Sequence, residues 1–313
     1  MAYSSGGTIQ AADYNGFAGG TAANVSGQLN TLLATGRGNA GYGQTAVSNV
    51  SAVTNDVTAT QWTTLVNAIN TVRKHQSGAG FTNVGTYTAG STINATNDIS
   101  GNLTTAYTNR LSYQAQGSTM TGATYSPSFT LPNQLAGTTF QFTRTATFAS
   151  ADAARYFFNA GGQLNFVISS VSNNNGTTRS ASLATLAATN FASKRIGAQD
   201  YTAETGTGGT VNIDSTTNAG YYTLTTSNVT KTQITSTTAT YTSDVFYLYG
   251  KSNGPQGSNA DAGTIVHFGV DLVSGTQTGG FNDSINITVN HRVDVIYPST
   301  TFLANTWGSV TIG

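Results

Sequence analysis

Ile285-Asn286-Ile287-Thr288-Val289-Asn290-His291-Arg292-Val293-Asp294-Val295-Ile296-Tyr297 is the stretch on which the fold turns. Ile285, Ile287, Val289, Val293, Val295 and Tyr297 fall on one side of a two-residue period. Asn286, Thr288, Asn290, Arg292 and Asp294 fall on the other, the alternation of a strand with one buried face. A slip of one residue would exchange the faces entirely, so the register is fixed. Period two extends upstream to about residue 120. Phe140, Phe142, Arg144, Ala146 and Phe148 alternate with Gln141, Thr143, Thr145 and Thr147. Val245, Tyr247 and Tyr249 alternate with Phe246 and Leu248, so both faces are apolar and a central strand is predicted. Asn175-Gly176 and Asn253-Gly254 signal turns between strands. One helix interrupts the β region, with Ser150 capping Ala151–Phe158 and Gly161-Gly162 ending it.

Before residue 120 the period is helical. Tyr14, Ala18, Ala22, Val25, Leu29, Leu32 and Leu33 recur at three- and four-residue steps, interrupted near Gly19-Gly20, so two short helices are predicted. Trp62, Leu65, Val66, Ile69 and Val72 form a better stripe, with Thr60 as N-cap and Ser77-Gly78 as stop. Arg73, Lys74 and His75 in its last turn suit the helix dipole as cations. Ile99, Leu103, Tyr107 and Leu111 predict a third helix over about 97–116, ended by Gly117. The fold class expected is α+β, mainly β. A small helical N-terminal region, 1–117, precedes an antiparallel β-sandwich-like body, 118–313.

Composition narrows the function. The chain has 313 residues, 12 Lys plus Arg and 12 Asp plus Glu, hence a formal net charge of zero. Charged residues are 8% of the total, against roughly 25% in ordinary domains. Fifty-six Thr, 29 Asn and 36 Gly occupy the surface that charges normally hold. Such a chain has no electrostatic footprint for nucleic acid or an anionic membrane, and no apolar run spans a bilayer. The N-terminus reads as no signal peptide. Without Cys there is no disulfide, thiolate metal site or Cys nucleophile.

Chemistry-bearing patterns are sparse. Gly36, Gly38 and Gly41 spell GxGxxG, but between a helix and a Thr/Val/Ser segment rather than between strand and helix, so a flexible connector is expected. The sole glutamate, Glu204, sits among glycines and threonines, and no pair of carboxylates stands out as a glycosidase would require. His75, His267 and His291 lie in distant segments without metal-ligand spacing. His291, between Val289 and Val293, reads as a core or interface histidine. Arg144, between Phe142 and Ala146, needs a partner, such as a carboxylate or carbonyl of another subunit. No catalytic residue, cofactor or metal is expected. The narrow helical stripes suggest burial against partners, which nominates Tyr14, Leu29, Leu33, Trp62, Leu65, Ile69, Arg144 and His291 as assembly-interface candidates. On that basis, deleting residues 1–80 should leave a soluble β domain.

Several stretches resemble structural proteins of tailed bacteriophages. They are Thr8-Ile9-Gln10-Ala11-Ala12-Asp13-Tyr14-Asn15, then Gly41-Tyr42-Gly43-Gln44, and a helix ending in Arg73-Lys74-His75-Gln76. Ala151-Asp152-Ala153-Ala154-Arg155-Tyr156-Phe157-Phe158-Asn159-Ala160-Gly161-Gly162-Gln163 is similar to a segment in virion proteins of phages from cyanobacteria and marine bacteria, as is Asn290-His291-Arg292-Val293-Asp294-Val295-Ile296-Tyr297-Pro298. The resemblance implies a non-enzymatic component of the tail, neck or fibre apparatus, assembled in the host cytoplasm. Its partners would be copies of itself and other virion proteins, with a host surface glycan as a further candidate. It carries over no catalytic residue. The alternative from a different class is a bacterial cell-surface or matrix adhesin, which would need an export signal.

Overall fold

The computed structural model describes residues 10–21, 25–51, 57–78, 87–89, 91, 93, 99–111, 116–132, 137–189, 194–198, 209–214, 220–255, 262–276 and 283–313. The architecture is α+β with more strand than helix, and its two antiparallel sheets pack as a sandwich. The central strand is β10 (Ile285–Pro298), flanked by β1 (Gln116–Met120) and β2 (Ser128–Leu131) on one side and β4 (Gln163–Asn173) on the other; β5 (Lys194–Ile196) closes that sheet. The second sheet runs β11 (Thr311–Ile312), β3 (Thr138–Thr147), β9 (Ile265–Ser274), β8 (Val245–Ser252), β7 (Val229–Ser236), β6 (Gly209–Asp214). β8 is thus central, as its two apolar faces predict. The inner faces meet through aromatic rings: Phe166 on Phe268 at 5.6 Å, Phe129 on Phe140 at 4.9 Å, and Phe142 on His291 at 4.4 Å.

β10 buries Ile285, Ile287, Val289, His291, Val293 and Val295 and leaves Asn286, Thr288, Asn290 and Arg292 partly exposed. The alternation fails at its end, where Asp294 and Ile296 are also buried and Tyr297 is not fully so. β1 explains this, because it pairs with Val295, Ile296 and Pro298. The Asp294 carboxylate accepts from Arg292 Nε at 2.9 Å and from the Gly122 amide at 3.1 Å.

The N-terminal helices are α1 (Ala11–Ala18), α2 (Leu29–Leu33), α3 (Ala59–Ser77) and α4 (Gly101–Thr108). The break near Gly19 is present. α3 begins one turn-fraction earlier than expected: Thr58, not Thr60, is its N-cap and shares a capping box with Gln61. α4 stops at Thr108, well short of the predicted 116, because Gln116 already opens β1. In the β region α5 (Ala151–Asn159) forms where predicted, with Ser150 Oγ accepting the Ala153 amide at 3.0 Å. A second helix, α6 (Thr178–Thr189), also interrupts the β region, where the sequence predicts one only, and Gly176 leads from β4 into it rather than into another strand. Leu183, Leu186 and Ala187 on α6 reach the core.

One apolar core runs through both parts of the chain, from Ala11 to Val310.

Candidate functional site

The polar side chains most deeply committed by this fold meet at the joint between helices and sandwich. α5 lies there, buried from Ala153 to Asn159. Arg155, 3% exposed, spreads its guanidinium over the loop that carries the GxGxxG pattern. Nη1 donates to Ala40 O at 2.8 Å and Gly38 O at 3.3 Å, and Nη2 to Thr35 O at 2.7 Å and Asp152 Oδ1 at 2.8 Å. One turn on, Asn159 Nδ2 donates to Gly41 O at 3.0 Å. The Tyr222 hydroxyl lies 2.6 Å from Asn159 Oδ1 and 3.1 Å from Gly38 O, sharing its proton between two acceptors. The glycine pattern is therefore a pinned loop and not a flexible connector. Gly41 has φ +96, and a Cβ there would run into the Thr35 carbonyl, which is why this position is glycine.

The end of α3 joins the same place. His75 Nε2 donates to Ala160 O at 2.9 Å, and Gln76 Nε2 donates to the Tyr42 hydroxyl at 3.0 Å and Ala106 O at 2.8 Å. Gln44 Nε2 reaches Ala304 O at 3.0 Å, and Thr306 Oγ1 donates to Tyr42 O at 2.8 Å, so the last segment of the chain straps the joint from outside. His75 is fully buried. Its Nδ1 has no hydrogen-bond partner, and burial pulls its pKa down to about 4, despite the Ala160 bond. It is a neutral core group, which corrects its assignment as a helix-end cation.

The assembly-interface candidates are placed inside the chain. Tyr14, Leu29, Leu33, Trp62, Leu65 and Ile69 are between 0% and 6% exposed, and the Tyr14 and Trp62 rings meet edge-on at 5.3 Å. Their stripes are narrow because each short helix buries only one side against the neighbouring helices. None forms an outer surface. His291 is likewise wholly buried, between Phe142, Phe166 and Tyr125. Its Nδ1 donates to Val289 O at 3.2 Å, while Nε2 has no partner. Arg144 finds its partner within the chain. The guanidinium carbon sits 3.4 Å from the centre of the Tyr125 ring, and Nη1 donates to Thr143 O at 2.9 Å. Its Nε is buried and has no hydrogen-bond partner among the described residues.

One buried cluster had no signal in the sequence. Asp244 and Arg179 are both fully buried, where α6 meets the β7–β8 turn. The Gly275 amide donates to Asp244 Oδ1 at 2.9 Å, and Arg179 Nη2 donates to Gly275 O. Burial lifts the Asp244 pKa to about 6, although the Gly275 bond, the Arg179 charge and the Ser182 hydroxyl oppose the rise. Single residues separated by tens of positions leave no motif.

Acid should weaken this fold. His75 and His291 both have pKa values lowered from 6.5 to about 4, His291 by burial foremost and also by the Arg144 charge. A depressed histidine contributes stability that is present above pH 6.5 and lost as pH falls through 4, about 3 kcal/mol each for shifts of this size. Asp244, raised from 3.8 to about 6, works the other way over nearly the same interval. The histidines outnumber it, so a net loss of about 3 kcal/mol is expected between pH 7 and pH 4. Urea midpoints at the two pH values measure this. His291→Phe should remove its share of the loss, and a flat profile would contradict the account.

Among the described residues no group of three or more His, Cys, Asp or Glu is placed to hold a metal ion, and no helix is long and apolar enough to cross a membrane. Glu204 lies outside the described residues. Compared with known proteins, the chain matches no family model, no curated protein and no solved structure.

Proposed function

We propose that this chain is a non-enzymatic structural component of a tailed-bacteriophage virion. It would act in the tail, neck or fibre apparatus, self-associating and bound to other virion proteins after assembly in the host bacterial cytoplasm. One observation carries the reading. Gly41–Gln44, Arg73–Gln76, Ala151–Gln163 and Asn290–Pro298, which resemble phage virion proteins, are scattered through the sequence yet adjoin in space. Tyr42 meets His75 at 5.6 Å between ring centres, Asn159 holds Gly41, Phe157 meets Tyr297 at 5.9 Å, and Gln163 pairs with Ile296. Chance similarities would not be expected to fall together on one structural joint. A shared scaffold would. The described ion pairs and buried polar groups hold the chain's own backbone together, as a building block requires.

Attachment to neighbours cannot use the buried apolar stripes, so it falls to the Thr- and Asn-rich outer surfaces, where few charges must be stripped of water on contact. Immunogold labelling of gradient-purified particles, from phage that encode this chain, tests the proposal. Gold is expected at one fixed place on each particle. Its absence from particles, with the chain free in the lysate, would overturn the reading.

A further inference from the structure

The outer face of the β3–β9–β8–β7 sheet carries a group of side chains that neither the core nor the joint uses. Even-numbered residues of β8 and β9 point into the sandwich, as Phe268 against Phe166 shows, so the odd-numbered ones face outward. Tyr247 and Tyr249 stack there, their ring planes parallel within 6° and their centres 5.8 Å apart. Register places Gly269 opposite Tyr249 and Asp271 opposite Tyr247. A Cβ on Gly269 would lie 3.6 Å from Tyr249 Cδ2, so the Tyr249 ring leans over that glycine and toward β3. Asp271 is held from both sides: Gln141 Nε2 donates to Oδ1 at 2.9 Å and the Tyr249 hydroxyl to Oδ2 at 3.1 Å. Gln141 and Thr143 on β3 are exposed beside them. Farther along, Lys251 and His267 form the next cross-strand pair.

We propose that Tyr247, Tyr249, Asp271 and Gln141 form a binding site for a neutral glycan, with a pyranose ring laid on the tyrosine faces. The chemistry fits that ligand class. Aromatic faces carry negative charge density and attract the weakly positive C–H groups on one side of a sugar ring. Because the two rings are parallel, a flat ring seated on one is parallel to both. Carboxylate, amide and hydroxyl groups at the edge can exchange hydrogen bonds with sugar hydroxyls. The nearby charges balance, Asp271 against Lys251, which disfavours a strongly charged ligand. Adjacent strands are ~4.8 Å apart, so the row from Gln141 to Gln233 across four strands spans about 14 Å, enough for a short oligosaccharide. The site deepens the virion reading, in which a host surface glycan is a candidate partner, but it is argued from the sheet's geometry, so glycan retardation and particle labelling can fail separately.

Affinity electrophoresis of the whole chain in gels containing dextran, galactomannan, mixed-linkage β-glucan or, as the charged arm, alginate tests the site. Retardation by a neutral polysaccharide is expected. It should weaken at least tenfold in Tyr247→Ala and be retained in Tyr247→Trp, which keeps an aromatic face. On the unmodified protein, saturating the aromatic protons in an NMR saturation-transfer experiment should light up sugar ring C–H protons, a measurement that needs no variant to fold. No retardation by any neutral polysaccharide would overturn the proposal. So would retardation by alginate alone, retardation indifferent to Tyr247→Ala, or a Tyr247→Ala effect confined to self-association.

Discussion

Arg155→Ala is expected to destabilise the entire chain by about 3–5 kcal/mol, measured by denaturant unfolding. The guanidinium is buried and donates to three backbone carbonyls, those of Thr35, Gly38 and Ala40. Removing it takes the guanidinium from the Thr35 and Ala40 carbonyls at the centre of the joint, while Gly38 O keeps the Tyr222 hydroxyl, and breaking a buried charged network from one side costs energies of this order. Arg155→Lys should rescue little, since a single ammonium cannot fork across acceptors that the planar guanidinium reaches together. The Asp152 ion pair is the minor part, because Asp152 is 63% exposed. The same contacts revise the outcome of deleting residues 1–80. That truncation removes the Thr35, Gly38 and Ala40 carbonyls and the His75 bond to Ala160, stranding Arg155 and uncovering α5. An insoluble product is expected, where the stripes alone suggested a soluble β domain.

Val293→Asp should cost about 4 kcal/mol. Val293 is fully buried and sits opposite Phe166 in the β10–β4 ladder. A carboxylate there would be desolvated with no partner, or would take up a proton at a comparable cost. Asn290→Asp supplies the control from the opposite face. Asn290 is partly exposed, and its Nδ2 donates to Ser170 Oγ at 2.6 Å. The serine hydroxyl can turn and donate to a carboxylate instead, so the loss should stay within about 0.5 kcal/mol. Thermal melts of the pair compare the two faces. Equal losses would mean that both faces of β10 are dry.

The β half was the more legible because its signals are local. The 285–297 alternation, the central position of β8 and the Ser150 cap each need only neighbouring residues to be read. α6 was missed because Thr178–Thr189 is mostly Thr, Ser and Ala, and its apolar stripe is Leu183, Leu186 and Ala187 alone. The short helices are legible in the sequence but what covers them is not: a narrow stripe says that something covers one side, not that the cover is another molecule. Much of their cover is one another: α2 packs on α1, α3 and α4, α3 packs on α4, and Tyr14 and Phe17 close on Trp62. Arg155 has no role legible in the sequence, since its acceptors are carbonyls, which every residue owns and no pattern marks. The Tyr247–Tyr249 face was likewise read as apolar burial. Which side of a central strand faces out depends on the second sheet, and that packing has no local signature.

Scanning calorimetry of the intact chain bears most directly on the claim that helices, joint and sandwich are one structure. A single transition is predicted, with the calorimetric enthalpy equal to the van't Hoff enthalpy, and Arg155→Ala should move that whole transition down. Two separable transitions, with only the smaller one shifted by Arg155→Ala, would contradict it.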